Sequence, residues 1–491
     1  MRYISTRGSK EISTSSAYAI KTGLASDGGL FMPENIPTLT HEEIRELIGA
    51  SYPERAARIL SKYLTDYTYE ELLKDATDAY SSFFDFPAKL TNLGDTHMLE
   101  LWHGPTCAFK DMALQIMPRL FVRALRKCSE NRTAIILVAT SGDTGKAALE
   151  GYKDVDGTKI KVFYPIDGVS RVQKLQMQTQ SGNNVSVVGI EGNFDDAQNG
   201  VKRIFSDTNI AKELNESGAF LSSANSINWG RLVPQVVYYV SSYCDMVKSG
   251  DINLGDSIDV CVPTGNFGNI FACYLAKLMG LPVKKLICAS NSNNVLTDFF
   301  ESGVYDRNRH FHTTMSPSMD ILISSNLERL LYVTLGPEKT AYYMNQLAKN
   351  GKYELSAEDF SLVSSDFIGI CSSESETAAT IKDIYENKNC LIDTHTAVAM
   401  CATYKYKATN KAERRILTVS TASAYKFAKD VYKSLTSDTP ENDIDALSML
   451  NSLTGVEIPT PLSDIDKREI IYGECIAKEL MEDSVRNFAK E

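Results

Sequence analysis

Between His41 and Phe84 apolar residues recur at intervals of three and four: Ile44, Leu47 and Ile48, then Ala56, Ile59, Leu60 and Tyr63, then Leu72, Leu73 and Ala76. That spacing lines up one face of successive helices, and residues 1–92 read as a small N-terminal helical domain. Beyond about residue 95 the texture changes to short β-rich runs: TAIILVAT (133–140), KIKVFYP (159–165), NVSVVGI (184–190), SIDVCVPT (257–264), KLICAS (285–290) and ILTVST (416–421). Runs apolar on both faces and separated by amphipathic stretches predict parallel sheets of the α/β class. They outnumber the strands of one ordinary doubly wound sheet, so residues 93–430 are expected to form two open α/β lobes with a cleft between them. Residues 431–491, with the acidic stretch 437–447 and a charged helical pattern after Asp464, read as a C-terminal helical appendage, and 302–318 reads as a loop.

Composition narrows the class. A chain of 491 residues with 43% hydrophobic content has material for large cores, and its formal charge of −11 argues against a nucleic-acid or anionic-membrane partner. A small anionic ligand must then find a local positive pocket. The ten cysteines contain no C-x-x-C pair, which suits free thiols in a reducing cytoplasm better than a zinc site or disulfide scaffold. Residues 1–10 lack an apolar signal core, and no run approaches the roughly 18 apolar residues of a membrane span. The expectation is a soluble cytoplasmic protein, monomer or homodimer. His310 and His312 have no carboxylate or cysteine arranged beside them, and no metal is expected.

Three strand ends carry candidate chemistry. Lys110 follows the Gly104-Pro105 turn and opens an apolar helical run through Met112, Ile116 and Leu120. Burial there would lower its pKa and suit it to Schiff-base chemistry, although Asp111 beside it would oppose that shift; a surface lysine is the plain alternative. After SIDVCVPT, the turn Gly265-Asn266-Phe267-Gly268-Asn269 leads into an apolar helix, a context in which exposed N–H groups cradle a phosphate. It lacks the third glycine of a dinucleotide fingerprint. After TAIILVAT, Ser141-Gly142-Asp143-Thr144-Gly145-Lys146 offers hydroxyls, amides and a lysine at a helix start, either as an N-cap, Asp143 or Ser141, or as an anion site. The cluster from Ser420 to Phe427 reads by itself as a cap.

Together these segments resemble the threonine synthase branch of the tryptophan-synthase-β-like pyridoxal-phosphate enzymes, in its longer subgroup with an N-terminal helical extension. The likeness runs through Tyr3 to Gly8, Gly23 to Phe31, Phe109-Lys110-Asp111, Ala139 to Gly145, Asn225 to Arg231, Gly265 to Asn269, Thr421-Ala422 with Lys426-Phe427, and Thr454 to Pro459. It implies a fold-type-II architecture, pyridoxal 5′-phosphate joined to Lys110, the cofactor phosphate on Gly265, Asn266, Phe267, Gly268 and Asn269, and Thr421 at the pyridine nitrogen. A hydroxyl there, unlike a carboxylate, leaves that nitrogen unprotonated and the ring a milder electron sink. Where many relatives carry His-Pro after the Thr-Ala pair, this chain has Ser423-Ala424, so no imidazole stands at that point.

The reaction so implied is conversion of O-phosphohomoserine and water to threonine and phosphate, with Lys110 as the proton-transfer base. Ser141 and Thr144 are candidates for the substrate carboxylate, and Lys146, Asn228 and Arg231 for its phosphate. His103 is expected to be structural. Two rivals stand beside this reading: a lyase of the same group that releases an α-keto acid, and a non-enzymatic metabolite sensor using the Gly265 turn.

Overall fold

The computed structural model describes residues 1–8, 13–140, 142–166, 168–410 and 414–491. The predicted helical opening forms three helices, His41–Ile48, Tyr52–Tyr63 and Tyr69–Tyr80, with Ile44, Leu47, Ala56, Ile59, Leu60, Tyr63, Leu72 and Ala76 buried. Two of these helices begin with reciprocal capping boxes, Thr40 with Glu43 and Thr68 with Glu71, which satisfy N–H groups that a helix start leaves unpaired. The opening segment also holds a small antiparallel sheet of Tyr3–Ser5, Ser13–Thr14 and Phe31–Pro33, which helical periodicity could not announce.

Two larger sheets follow. In spatial order the first consists of Phe367–Cys371, Val283–Ser290, Ile258–Pro263, Ile416–Ser420, His97–Glu100 and Lys89–Asn92; all neighbours are parallel except the last pair. The second, fully parallel, runs Cys475–Ala477, Val185–Glu191, Thr158–Pro165, Thr133–Ala139 and Ala219–Ser222. Each central strand is buried on both faces, as its unbroken apolar sequence requires. The C-terminal region contributes more than a covering helix: Cys475–Ala477 adds an edge strand, and the helix Met481–Lys490 packs on Phe194–Ser206.

Part of the stretch expected to be a loop is ordered. Val304–Asp306 pairs antiparallel with Lys352–Glu354 because Tyr305 is buried and stacks on Tyr353, ring centroids 5.4 Å apart. Such cross-strand aromatic pairs stabilise short ladders, and the partner strand lies too far along the chain for periodicity to reveal. No helix among the described residues is long and apolar enough to cross a membrane.

The opening helices lie against the core helix Pro234–Ser249. Buried Arg55 fastens them: its guanidinium pairs with Asp245 at 2.7 Å and donates to the carbonyls of Leu47, Ile48 and Ser241. Arg55→Met strands those acceptors, and a loss of about 3 kcal/mol is expected, read as a lower urea midpoint.

Candidate active site

The two central strands of the first sheet and their neighbour end side by side, and the chain segments leaving them are stitched together. Leu101 N–H donates to the Ser420 carbonyl at 3.0 Å, Phe109 N–H to Thr421 at 2.8 Å, and Ser423 N–H to Cys107 at 3.1 Å. With the Ala108–Ala422 bridge, these bonds lay the Lys110 segment directly over the segment that carries Thr421. The third strand, Ile258–Pro263, leads into the Gly265–Asn269 turn. Ligands in open α/β sheets collect at such carboxyl ends.

Lys110 is buried, which drives its amine below the ordinary lysine range; Arg231 and Lys426 push the same way, and only Asp143 opposes. Its Nζ lies 3.3 Å from Ser318 Oγ and 3.4 Å from Asp143 Oδ2. Asp111, expected from its position to hold the amine charged, turns away. Its carboxylate accepts from the backbone N–H of Thr106 at 2.8 Å and the Thr106 hydroxyl at 2.7 Å, and burial pushes its pKa up to about 6.

Ser318 links the lysine to the glycine turn. Its carbonyl sits so close to Gly265 that a Cβ there would meet it at 2.7 Å. The Ser318 N–H donates to His395 Nε2 at 3.1 Å, and His395 Nδ1 lies 2.9 Å from Asp393 Oδ2, so the ring is fixed with its proton toward the carboxylate. Within the turn, Phe267 adopts φ 63°, a left-handed conformation rare for a bulky residue. Its ring compensates by packing with Phe300 and Phe367 in a buried aromatic cluster. The turn delivers the first-turn N–H groups of the helix Gly268–Met279, which have no acceptor within their own helix. Asn269 accepts from the hydroxyls of Tyr238 and Tyr239 on its Oδ1, leaving a buried Nδ2 without a partner. An orphaned donor beside a helix N-terminus suits a phosphate. Arg329, fully buried, braces the site from behind by donating to the carbonyls of Phe31, Ser226 and Ile227, so the opening sheet and the 225–231 stretch meet there.

The second sheet supplies the opposite wall. At its turn Ser141 lies outside the described residues. Asp143, read as one of two possible N-caps, is instead the first helical residue, after Gly142, and its carboxylate faces into the site. Thr144 Oγ1 lies 3.4 Å from Arg231 Nη2. Arg231 is buried, donates to the Ala224 carbonyl, and has no carboxylate in ion-pair range among the described residues; desolvation alone brings its pKa down to about 10. It is a buried cation awaiting an anion. Lys146 and Asn228 differ. Lys146 pairs with Glu150 at 2.9 Å and with the Gln180 side chain, while Asn228 caps its own helix through Gly230 N–H and donates to the carbonyls of Ile20 and Ser223. His103 is buried against Glu100 at 2.7 Å, away from Lys110's contacts.

Ser318, Lys426, Gln173 and His395 enter the site without having been singled out as site residues. Lys426 lay within the Ser420–Phe427 cluster, and His395 had a local signal, the Asp393-Thr394-His395 start of an apolar helix, which is a capping pattern. Among the described residues no group of three metal-ligating side chains occurs.

Two family models match the chain, the threonine synthase N terminus over residues 2–80 and the pyridoxal-phosphate dependent enzymes over 97–422. The human protein named Threonine synthase-like 1 is 40% identical over 456 residues, covering 89% of this chain; this chain spans 60% of that relative's length. Threonine synthase from Pseudomonas aeruginosa is 38% identical over 439 residues, covering 88% of this chain and 90% of its own. Among solved structures, PLP-bound threonine synthase from Brucella melitensis superposes with a TM-score of 0.88 at 35% identity, covering 100% of both chains. The yeast threonine synthase structure also gives 0.88, at 33% identity over 99% of this chain and 98% of its own.

Gly265→Ala forces its new methyl against the Ser318 carbonyl, and a destabilisation of about 1–3 kcal/mol is expected by chemical denaturation. Because the turn moves with it, protection of the fold by inorganic phosphate should fall in the same variant.

Proposed function

Because this chain belongs to the threonine synthase family of pyridoxal-phosphate-dependent enzymes, we propose that it converts O-phosphohomoserine and water into threonine and inorganic phosphate. It does so in the cytoplasm, acting on a small molecule. The observation that carries this reading is the meeting of a desolvated Lys110, the Thr421 segment and the Gly265 turn, three stretches remote from one another in the chain, with Ser318 touching both the lysine and the turn. The residues fit pyridoxal phosphate: an orphaned buried Asn269 amide and open helix N–H groups for its phosphate, an amine poised for its aldehyde, and a hydroxyl for its ring nitrogen.

Bound, the cofactor supplies an aldehyde that condenses with amines and a ring that accepts electrons from the substrate's carbon framework. The protein does the rest. Gly265, Asn266, Phe267, Gly268 and Asn269 anchor the phosphate through N–H groups. Thr421 offers a hydroxyl, which can hydrogen-bond the ring nitrogen without protonating it. Lys110, whose charged form is disfavoured by burial, supplies the amine that takes the proton from the substrate α-carbon and returns it later. Thr144, at the helix start, serves the substrate carboxylate. Arg231 serves the departing phosphate, because a buried guanidinium with no carboxylate partner among the described residues gains most from a dianion. Lys146, neutralised by Glu150, adds little to that pocket, and Asn228 is occupied as a cap.

Borohydride reduction of the enzyme purified with its cofactor should leave a pyridoxyl group on the peptide containing Lys110, and Lys110→Ala should abolish both this label and the visible absorption. With O-phosphohomoserine the product should be threonine; 2-oxobutyrate instead identifies an eliminating lyase, and a colourless, unlabelled protein identifies a non-enzymatic binder. Arg231→Met should lower kcat/KM by roughly thirtyfold, the equivalent of about 2 kcal/mol, whereas Lys146→Met should change it far less.

A further inference from the structure

One buried carboxylate in the cleft is shared by two lysines. Asp143 Oδ1 accepts from Lys426 Nζ at 2.8 Å and from Gln173 Nε2 at 2.7 Å, and its Oδ2 faces Lys110 Nζ at the longer distance of 3.4 Å. Lys426 is wholly buried and also donates to the Thr106 carbonyl at 2.9 Å, in the loop that leads to Lys110. The backbone is shaped for this arrangement. Gly142 adopts φ 139°, and a Cβ there would strike the Gln173 amide at 2.5 Å, so the glycine lets Gln173 reach Asp143.

We propose that Asp143 is a positioning residue for Lys110: Lys426 and Gln173 hold its Oδ1, which leaves Oδ2 to steer the Lys110 amine whenever that amine is not attached to the cofactor. The inference rests on the role of Lys110 proposed above. A carboxylate facing Lys110 alone would keep the amine charged and useless as a base. One already saturated by a second cation orients the amine while holding its proton only weakly. Lys426 thus sets the strength of the Asp143–Lys110 contact through Asp143 and not through a bond to Lys110 itself. The groups facing this centre are Asp143 on the helix Asp143–Tyr152, Lys426 in the turn after Ile416–Ser420, Arg231 on Trp229–Leu232, and Ser318; of these Asp143 raises the Lys110 pKa while Arg231 and Lys426 lower it. Asp111, Lys146 with Glu150, and the Cys107 thiol, pushed up by burial, form the next layer around Asp143 and Lys426.

The test is the pH profile of the Lys110 amine in the full chain after cofactor removal with hydroxylamine, with folding verified by circular dichroism. Formaldehyde and cyanoborohydride label the neutral amine, and mass spectrometry of the Lys110 peptide gives the rate at each pH. Asp143→Asn should move the midpoint down by about one unit, roughly a tenfold faster reaction at fixed pH below it, and Lys426→Met should move it up by a similar amount. Lys426→Arg, which keeps the charge, should stay near the parent value. Opposite shifts support the proposal. Shifts of the same sign, or no shift in either variant, overturn it, because a merely structural role would disturb Lys110 alike in both. If Asp143→Asn does not fold, the Lys426→Met and Lys426→Arg pair decides the matter: an upward shift restored by arginine supports the proposal, and an unmoved midpoint or one that arginine does not restore refutes it. Failure of the borohydride label to reach Lys110 in the cofactor-loaded enzyme would instead refute the parent reading, and that result is separate from these shifts.

Discussion

Removing one ammonium group from water is the constraint to which the rest of the cleft answers. A lysine amine taken out of bulk solvent loses several kcal/mol of hydration in its charged form, so a buried Lys110 favours neutrality unless a carboxylate restores the charge. The nearest carboxylate in sequence, Asp111, is drawn off by the N–H and hydroxyl of Thr106. The nearest in space, Asp143, is engaged by Lys426 and Gln173. The amine therefore sits in a field of two cations, Arg231 and Lys426, and one anion, inside a protein whose overall charge is strongly negative. That local reversal answers the question set by composition, of how such a chain could receive a small anionic ligand.

The scaffold makes this field rigid. Hydrogen bonds from the 101–109 loop to the 420–423 segment fix the lysine relative to the sheet, while Ser318 and its His395–Asp393 support fix the glycine turn relative to the lysine. A strained Phe267 persists because its ring is locked in an aromatic cluster. Strain of this kind, about 1–3 kcal/mol, survives only where surrounding packing over-determines it, as the aromatic cluster does for Phe267.

Much of this was legible beforehand. Lys110 after its Gly-Pro turn, the strand–glycine–helix pattern ending at Asn269 and the six apolar runs could be read because each is a local pattern whose physics is complete within about a dozen residues. The Asp143 carboxylate looked like one of two possible caps for the same reason: sequence offers its neighbours along the helix, and its real partners are 30 and 283 residues away, counted from Gln173 and Lys426. Lys146 and Arg231 illustrate the same limit from opposite sides. Both are basic residues at helix starts, yet one finds Glu150 a turn along its own helix and the other finds no carboxylate among the described residues.

By itself, then, the order of residues determined the class of fold, the candidate lysine and the likeness that points to the cofactor, since periodicity, glycine turns and motif order are properties of a chain read in one dimension. Tertiary structure alone decided which charges cancel, which remain uncompensated and which hydroxyl reaches the lysine. Electrostatic energies depend on distance and burial, and both are set only when segments remote in the chain are packed against one another.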